Sequence, residues 1–220
     1  FGISAAISAA VQKIQHEYNT KKMPDIFAVA HLVDREISGG LGDAAGLAAG
    51  GFEKRRAPGS LTLLNGDIGP GKADTMSLPC EVLLAWDNEM EKTTSWIDDV
   101  NKAQQIKKAG HKALNILPKS WSIENWPKII EASKLFYLES GFSELKSLKR
   151  VINYCNDAID ATNQANNITV LPCFIGPSAI LVPKNLNESY NLSKVEDFLR
   201  KKTMIQSTKA KIVENSINLI

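Results

Sequence analysis

The 220-residue sequence has little of what most catalytic and metal sites require. It contains only three histidines and three cysteines, and Cys80, Cys155 and Cys173 form no C-x-x-C pair. A zinc ligand set is therefore not expected, and the apolar neighbours of the cysteines favour buried, reduced thiols. No G-x-S-x-G turn supplies a nucleophile, so the sequence assembles no catalytic triad.

The sequence also lacks a strong charge imbalance and a long apolar run. Its 26 Lys and Arg residues against 24 Asp and Glu give a net charge of +2, which demands no acidic partner. The basic clusters at 54–56, 146–150 and 200–202 have acidic neighbours, so solvated faces are favoured over a nucleic-acid groove. No run reaches the ~18 apolar residues of a membrane-spanning helix. Because the chain begins with Phe1, we expect a processed or trimmed form, and its N-terminus does not indicate a cellular compartment.

Helical periodicity is the dominant signal in what the sequence does contain. Apolar residues recur at spacings of three and four over 2–18 and over 24–37, which predicts an N-terminal helical pair over 1–38. Ser77 is a good N-cap, and the periodic residues after it predict one long helix that ends near Gly110.

Further helices are predicted in the second half of the chain. One spans 126–140, and another begins with Ser143 as its cap. Ser193 to Glu196 forms a capping box that begins a C-terminal helix, and 208–219 is predicted to continue it or to form one more.

Two segments interrupt this pattern. Ten glycines lie between 39 and 73, so 39–76 is predicted to be a glycine-rich insert, with Leu61–Leu64 as its one strand. Three prolines and a glycine break the apolar segment 168–183, which predicts buried extended chain or a short hairpin. The predicted fold is mainly α, a multi-helix bundle-like domain, in which 77–220 and 1–38 form one cooperative unit.

One stretch matches a phosphate-binding loop. Gly66, Gly69, Gly71 and Lys72 fit the G-x-x-x-x-G-K spacing, in which backbone N–H groups cradle phosphate oxygens and the lysine reaches the outer phosphates. Ala73 stands where the motif has a metal-binding Ser or Thr. Pro70 removes one N–H donor, and the predicted helix begins only at Ser77, so turn chemistry is the favoured interpretation.

Three other patterns suggest chemistry and are each weighed against a simpler structural interpretation. Val82–Trp86 followed by Asp87 has the letters of a Walker B strand, but its residues fit the long helix better. His31 and Asp34 share a helix face, where a local hydrogen bond is more common than an acid/base dyad. Four aromatic residues could form a stacking platform but are expected in the core: Trp121, Trp126, Phe136 and Tyr137.

The sequence alone therefore favours a non-enzymatic structural or interaction protein, a subunit of a larger assembly or oligomer, with no cofactor and with protein subunits as partners. The first alternative is a nucleotide- or phosphate-binding protein that uses the loop 66–72. The second is a secreted, membrane-active or toxin-like protein in which residues 1–14 insert into a membrane interface and Lys54-Arg55-Arg56 is a processing site.

Overall fold

The chain forms two compact units, one made of 1–78 and 213–220 and one that spans 79–212. Six strands and four α-helices have bounds within the residues described by the computed structural model, which are 46, 48–57, 71–78, 80–89, 96 and 98–212. The predicted N-terminal helical pair, the strand at Leu61–Leu64 and the segment 1–14 lie outside these residues.

The described part of the first unit is a helix end followed by a β-hairpin. Gly50 N donates a hydrogen bond to Gly46 O over 3.0 Å, which is the last turn of the helix. Gly50 and Gly51 have φ of 66° and 59°, a left-handed conformation that favours glycine and reverses the chain. Strand β1 (Phe52–Ala57) then pairs antiparallel with β2 (Lys72–Met76).

The second unit is a four-stranded antiparallel sheet covered by helices. Its sheet order is β4-β5-β3-β6. Along the chain its elements are β3 (Glu81–Trp86), α1 (Val100–Ile116), α2 (Trp126–Glu139), α3 (Lys146–Ala161), β4 (Ile168–Cys173), β5 (Ser178–Pro183), α4 (Leu192–Lys202) and β6 (Gln206–Lys211).

This strand order is that of the ferredoxin-like fold. Strand β5 lies between β3 and β4, and β3 lies between β5 and β6, so the sheet contains two interlocked split β-α-β units. The main core is the layer between the sheet and helices α3 and α4, and it includes Leu83, Val151, Leu181, Val195 and Leu199. Helices α1 and α2 stand between β3 and α3 in the chain, as an addition to the basic fold.

The predicted mainly α, multi-helix bundle-like fold is wrong, because the protein is mixed α/β. The segment expected to be the first half of a long helix from Ser77 is strand β3, the inner strand between β5 and β6. Val82, Leu83 and Ala85 are all buried. A strand buried on both faces has a continuous apolar run, and such a run cannot be told from a buried helix by its periodicity.

Several element boundaries also differ from the predictions. Helix α1 begins after Asp99, whose side chain accepts from two backbone N–H groups, and it runs through Gly110. The cap of α4 is Asn191 and not Ser193, and the chain after α4 is strand β6 and not more helix. The glycine-rich insert contains the β1–β2 hairpin. Segment 168–183 forms the hairpin β4–β5, as predicted.

Two of the three cysteines are buried, as the sequence predicts, whereas Cys173 is half-buried. Cys80 and Cys155 are free and buried. Burial raises the pKa of the Cys80 thiol to about 11 and that of the Cys155 thiol to about 12. Both residues are therefore protonated thiols at neutral pH, and they act as small apolar groups in the core.

Gly110 offers a direct test of helix α1. It lies inside the helix, and an added Cβ would meet only Phe136 Cε2, at an ordinary 3.9 Å. We expect Gly110→Ala to raise the free energy of unfolding by about 0.5–1 kcal/mol, because alanine loses less backbone entropy in a helix. Urea unfolding measures this. Gly141→Ala is the control, since its φ is 85° and its Cβ would lie 3.1 Å from Gln105 Nε2; a destabilised Gly110→Ala would contradict the α1 assignment.

Candidate functional site

The loop that matches the spacing of a phosphate-binding motif leads into a strand. Gly66 and Gly69 lie outside the described residues. Gly71 is buried, and Lys72 is the exposed first residue of β2, paired with Ala57. Since a strand follows Lys72 directly, this lysine does not stand at a helix N-terminus as it would in a P-loop.

The β1–β2 hairpin carries a ladder of ion pairs. The carboxylate of Asp74 forms ion pairs with Lys54 Nζ at 3.4 Å and with Arg56 Nε at 3.0 Å. Arg55 pairs with Glu53. The dibasic segment 54–56 is thus part of a paired strand with acidic partners, which argues against an exposed processing loop.

A second group of charges lies where strand β3 ends, in the unit formed by 79–212. Asp87 directly follows β3, and its side chain is only 11% exposed. Arg150, on α3, donates to Asp87 Oδ2 from Nε at 3.0 Å and from Nη2 at 2.6 Å, and its Nη2 also lies 2.8 Å from Glu89 Oε1. Hydrogen bonds to Glu89 and Asp87 raise the pKa of Arg150. The guanidinium therefore fixes the segment that leaves β3 onto helix α3.

The turn between β4 and β5 meets the same end of β3. Asp87 N donates to Pro177 O over 2.9 Å, and Ser178 N donates to Gly176 O over 2.8 Å. Gly176 has φ of 149°, and an added Cβ would meet nothing within 4 Å. A glycine here is needed for conformation and not for packing, and it leaves the backbone of the turn open to close approach by a ligand.

Aromatic side chains support this turn from one side. Phe174 stacks on buried Phe142 with ring centroids 4.9 Å apart. Phe136 contacts the ring of Phe174 edge-on, also with a centroid distance of 4.9 Å. Trp96 packs on Phe142 at 4.8 Å, and Lys102 Nζ lies 4.6 Å from the Trp96 ring centroid. Phe174 is nonetheless 38% exposed. The turn therefore packs on a cluster of aromatic rings, and the ring of Phe174 stays partly exposed to solvent.

The groove beside this cluster is lined by more basic than acidic side chains. This groove of about 370 Å³ runs along α3 and is lined by Lys146, Lys149, Arg150, Asn153, Tyr154 and Asp157. Lysine and arginine side chains recognise phosphate by charge and by hydrogen bonds. Over the described residues, no group of three or more His, Cys, Asp or Glu side chains is placed to hold a metal ion.

Two features of the sequence mark this cluster, although each also fits a simpler structural interpretation. Asp87 ends the apolar run that resembles a Walker B strand, and the structure confirms the strand that the helical interpretation rejected. Arg150 belongs to the basic run 146–150, whose acidic neighbours in the sequence favour a solvated face. Of the histidines, His111 is exposed on α1, whereas His16 and His31 lie outside the described residues. Trp126 is buried as predicted, and its indole Nε1 donates to Pro183 O over 2.7 Å.

Comparison with known proteins finds a similarity of fold and not of sequence. No protein-family model and no curated protein matches the chain. The fold is similar to that of a solved structure described as a phosphotransferase related to the CoA biosynthesis pathway, with a TM-score of 0.67 and 20% sequence identity. The similarity covers 98% of this chain and 63% of that one.

A second solved structure, homoserine kinase from Cytophaga hutchinsonii, is similar with a TM-score of 0.54 and 14% identity, over 98% of this chain and 67% of that one. These likenesses contradict the prediction of a non-enzymatic structural protein, because the two neighbours are described as a phosphotransferase and a kinase. They agree better with the first alternative, a nucleotide- or phosphate-binding protein.

No helix of the described residues is long and apolar enough to cross a membrane.

Proposed function

We propose that this chain is a phosphotransferase that moves a phosphoryl group from a nucleoside triphosphate to the hydroxyl group of a small molecule. The observation that carries the proposal is the likeness, over 98% of the chain, to a structure described as a phosphotransferase. The kinase among the neighbours supports the same reaction class. The chain spans 63% of the length of the first neighbour, so the acceptor and the complete activity are part of the proposal.

Within this proposal, the loop 66–72 contributes Lys72 as a phosphate contact. Lys72 is exposed and follows a glycine, so its ammonium group is accessible to a phosphate. Because β2 follows it and Ala73 has no ligating atom, Lys72 would act as a point charge without a metal ligand beside it. Transfer of a phosphoryl group depends on positioning and on neutralising charge, and lysine supplies the second of these.

The cluster of Asp87, Glu89 and Arg150 lies in the unit formed by 79–212 and is a separate candidate for binding. Arg150 is held by two carboxylates, and its side chain is still 39% exposed. Because two carboxylates outweigh the single charge of Arg150, an anion here would also need Lys146 and Lys149, which line the same groove. The open backbone at Gly176 adjoins this cluster through Pro177 and Asp87. We assign this end of the sheet to substrate or phosphate binding.

Isothermal titration with MgATP tests nucleotide binding by the protein and the contribution of Lys72 to it. We expect the wild type to bind MgATP, and Lys72→Ala to bind at least about tenfold more weakly, which is about 1.4 kcal/mol of lost interaction with the charged phosphate. Lys211→Ala is the matched control, because Lys211 is an exposed lysine at the end of another strand, β6.

The two possible failures of this titration have different meanings. A wild-type protein that binds no nucleotide would contradict the proposed function. Equal binding by wild type and Lys72→Ala would remove Lys72 from the site and leave the reaction class intact. The association with other protein subunits that the sequence suggests stays a prediction, which light scattering after size exclusion would test.

A further inference from the structure

Five exposed residues form one stripe along helix α3. They follow each other at intervals of three, four, four and three residues, and they are Lys146, Lys149, Asn153, Asp157 and Asp160. At about 100° per residue, these intervals keep the five positions within about 60° of one another around the helix axis. The buried residues of α3 lie on the opposite side of the helix, against the sheet and α4. The stripe therefore faces away from the core of the unit formed by 79–212.

The charges of this stripe run against the dipole of the helix. Both lysines lie in the N-terminal half of α3 and both aspartates in the C-terminal half, and the first turn has no acidic residue and the last turn no basic one. A helix is stabilised by the opposite order of charges. In the part of the chain that the structure describes, these four charged side chains form no ion pair or hydrogen bond. The stability of the helix itself therefore does not explain this order.

The order of residues along the stripe is complementary to itself. Asn153 lies at the centre, with Lys149 and Asp157 each four residues away and Lys146 and Asp160 each seven residues away. When two such helices lie antiparallel about a two-fold axis at the central residue, each lysine of one copy meets an aspartate of the other. A parallel pair would instead place like charges opposite each other, which is unfavourable.

We propose that this stripe is a contact surface between two copies of the chain, whose α3 helices pair antiparallel. Lys149 of one copy pairs with Asp157 of the other. Lys146 pairs with Asp160 in the same way, so the dimer contains four ion pairs across the two-fold axis. The two Asn153 side chains meet at the axis, where an amide both donates and accepts hydrogen bonds.

The dimer is weak and sensitive to salt, because exposed ion pairs contribute little individually and salt screens them. Tyr154, which is half-buried beside the centre of the stripe, adds aromatic surface of the kind that often carries binding energy at interfaces. We expect a dissociation constant on the order of 100 µM at low salt, as for small transient interfaces. The dimer does not depend on phosphoryl transfer. Lys146 and Lys149 also line the groove beside Arg150, so the dimer and an anion bound in that groove exclude each other.

Sedimentation equilibrium of the full chain, in a buffer without phosphate or nucleotide, measures this association. We expect the wild type to dimerise reversibly, and at least about fivefold more weakly in high salt than in low salt. Two double variants give a stripe of one sign: Lys146→Asp with Lys149→Asp, and Asp157→Lys with Asp160→Lys. Each alone should self-associate at least about tenfold more weakly, because like charges then meet across the axis. An equal mixture of the two should associate again, because every pair across the axis is then of opposite charge.

Lys107→Asp with Lys108→Asp is the matched control, because it changes the net charge as much as the first double variant does, at exposed positions on α1. It should dimerise as the wild type does. The proposal is overturned if the wild type stays monomeric at low salt up to about 500 µM, which is about five times the expected dissociation constant. It is also overturned if either double variant associates as tightly as the control, or if the mixture of the two does not associate.

Discussion

Phe142→Ala is expected to lower the free energy of unfolding of the unit formed by 79–212 by about 3–5 kcal/mol. Phe142 is 1% exposed, and its ring packs on Trp96 at 4.8 Å and on Phe174 at 4.9 Å. Removal of the ring loses the transfer free energy of a buried aromatic group and leaves a cavity between rigid neighbours. The turn at Gly176 would lose the buried ring on which Phe174 rests.

Urea unfolding followed by far-ultraviolet circular dichroism measures this loss. Phe174→Ala is the matched control, because the same aromatic group is removed from a position that is 38% exposed, and its cost should be clearly smaller. If Phe142→Ala costs less than about 1 kcal/mol, or no more than Phe174→Ala, the aromatic cluster does not support the turn in the way described.

Gly51→Ala should have the second large effect, on the first unit. Gly51 has φ of 59°, and an added Cβ would lie 2.7 Å from the backbone oxygen of Met76. A left-handed conformation alone costs a residue with a side chain about 1–3 kcal/mol. Because the close contact is with backbone, the hairpin itself must shift, and we expect a total cost above about 3 kcal/mol for the hairpin.

Hydrogen exchange at the amides of β1 and β2 measures the effect in the unit concerned. Gly176→Ala is the control for backbone strain, since its φ is 149° and its Cβ would meet nothing within 4 Å. A Gly51→Ala protein with hairpin protection equal to that of the wild type would show that the chain reversal into β1 is wrongly described.

The sequence predicted elements well where a single periodicity operates. Helices α2 and α3 carry one apolar face each, and the prolines and the glycine of 168–183 rule out helix, so these elements were predicted close to their bounds. Strand β3 could not be distinguished in this way, because burial on both faces removes the alternation that marks a strand. Strand β6 has the sequence QSTKAK, whose polar residues suit an edge strand and give no apolar signal.

The candidate site was harder to predict than the fold. Asp87 and Arg150 are 63 residues apart in the chain, and only the sheet topology brings the end of β3 next to helix α3. The conformation of Gly176 depends on the hairpin turn, which the local sequence marks only as Gly-Pro. The loop 66–72 was visible from its spacing alone, but spacing does not reveal that a strand follows Lys72.

Phosphorus NMR of MgATP with the protein and a panel of small hydroxyl compounds, homoserine among them, tests the central claim most directly. The account predicts that the γ-phosphate signal of ATP falls while a phosphomonoester signal rises with at least one acceptor, and only when the protein is present. An unchanged ATP spectrum with every acceptor, or hydrolysis to inorganic phosphate alone at a rate that no acceptor alters, would contradict the assignment as a phosphotransferase.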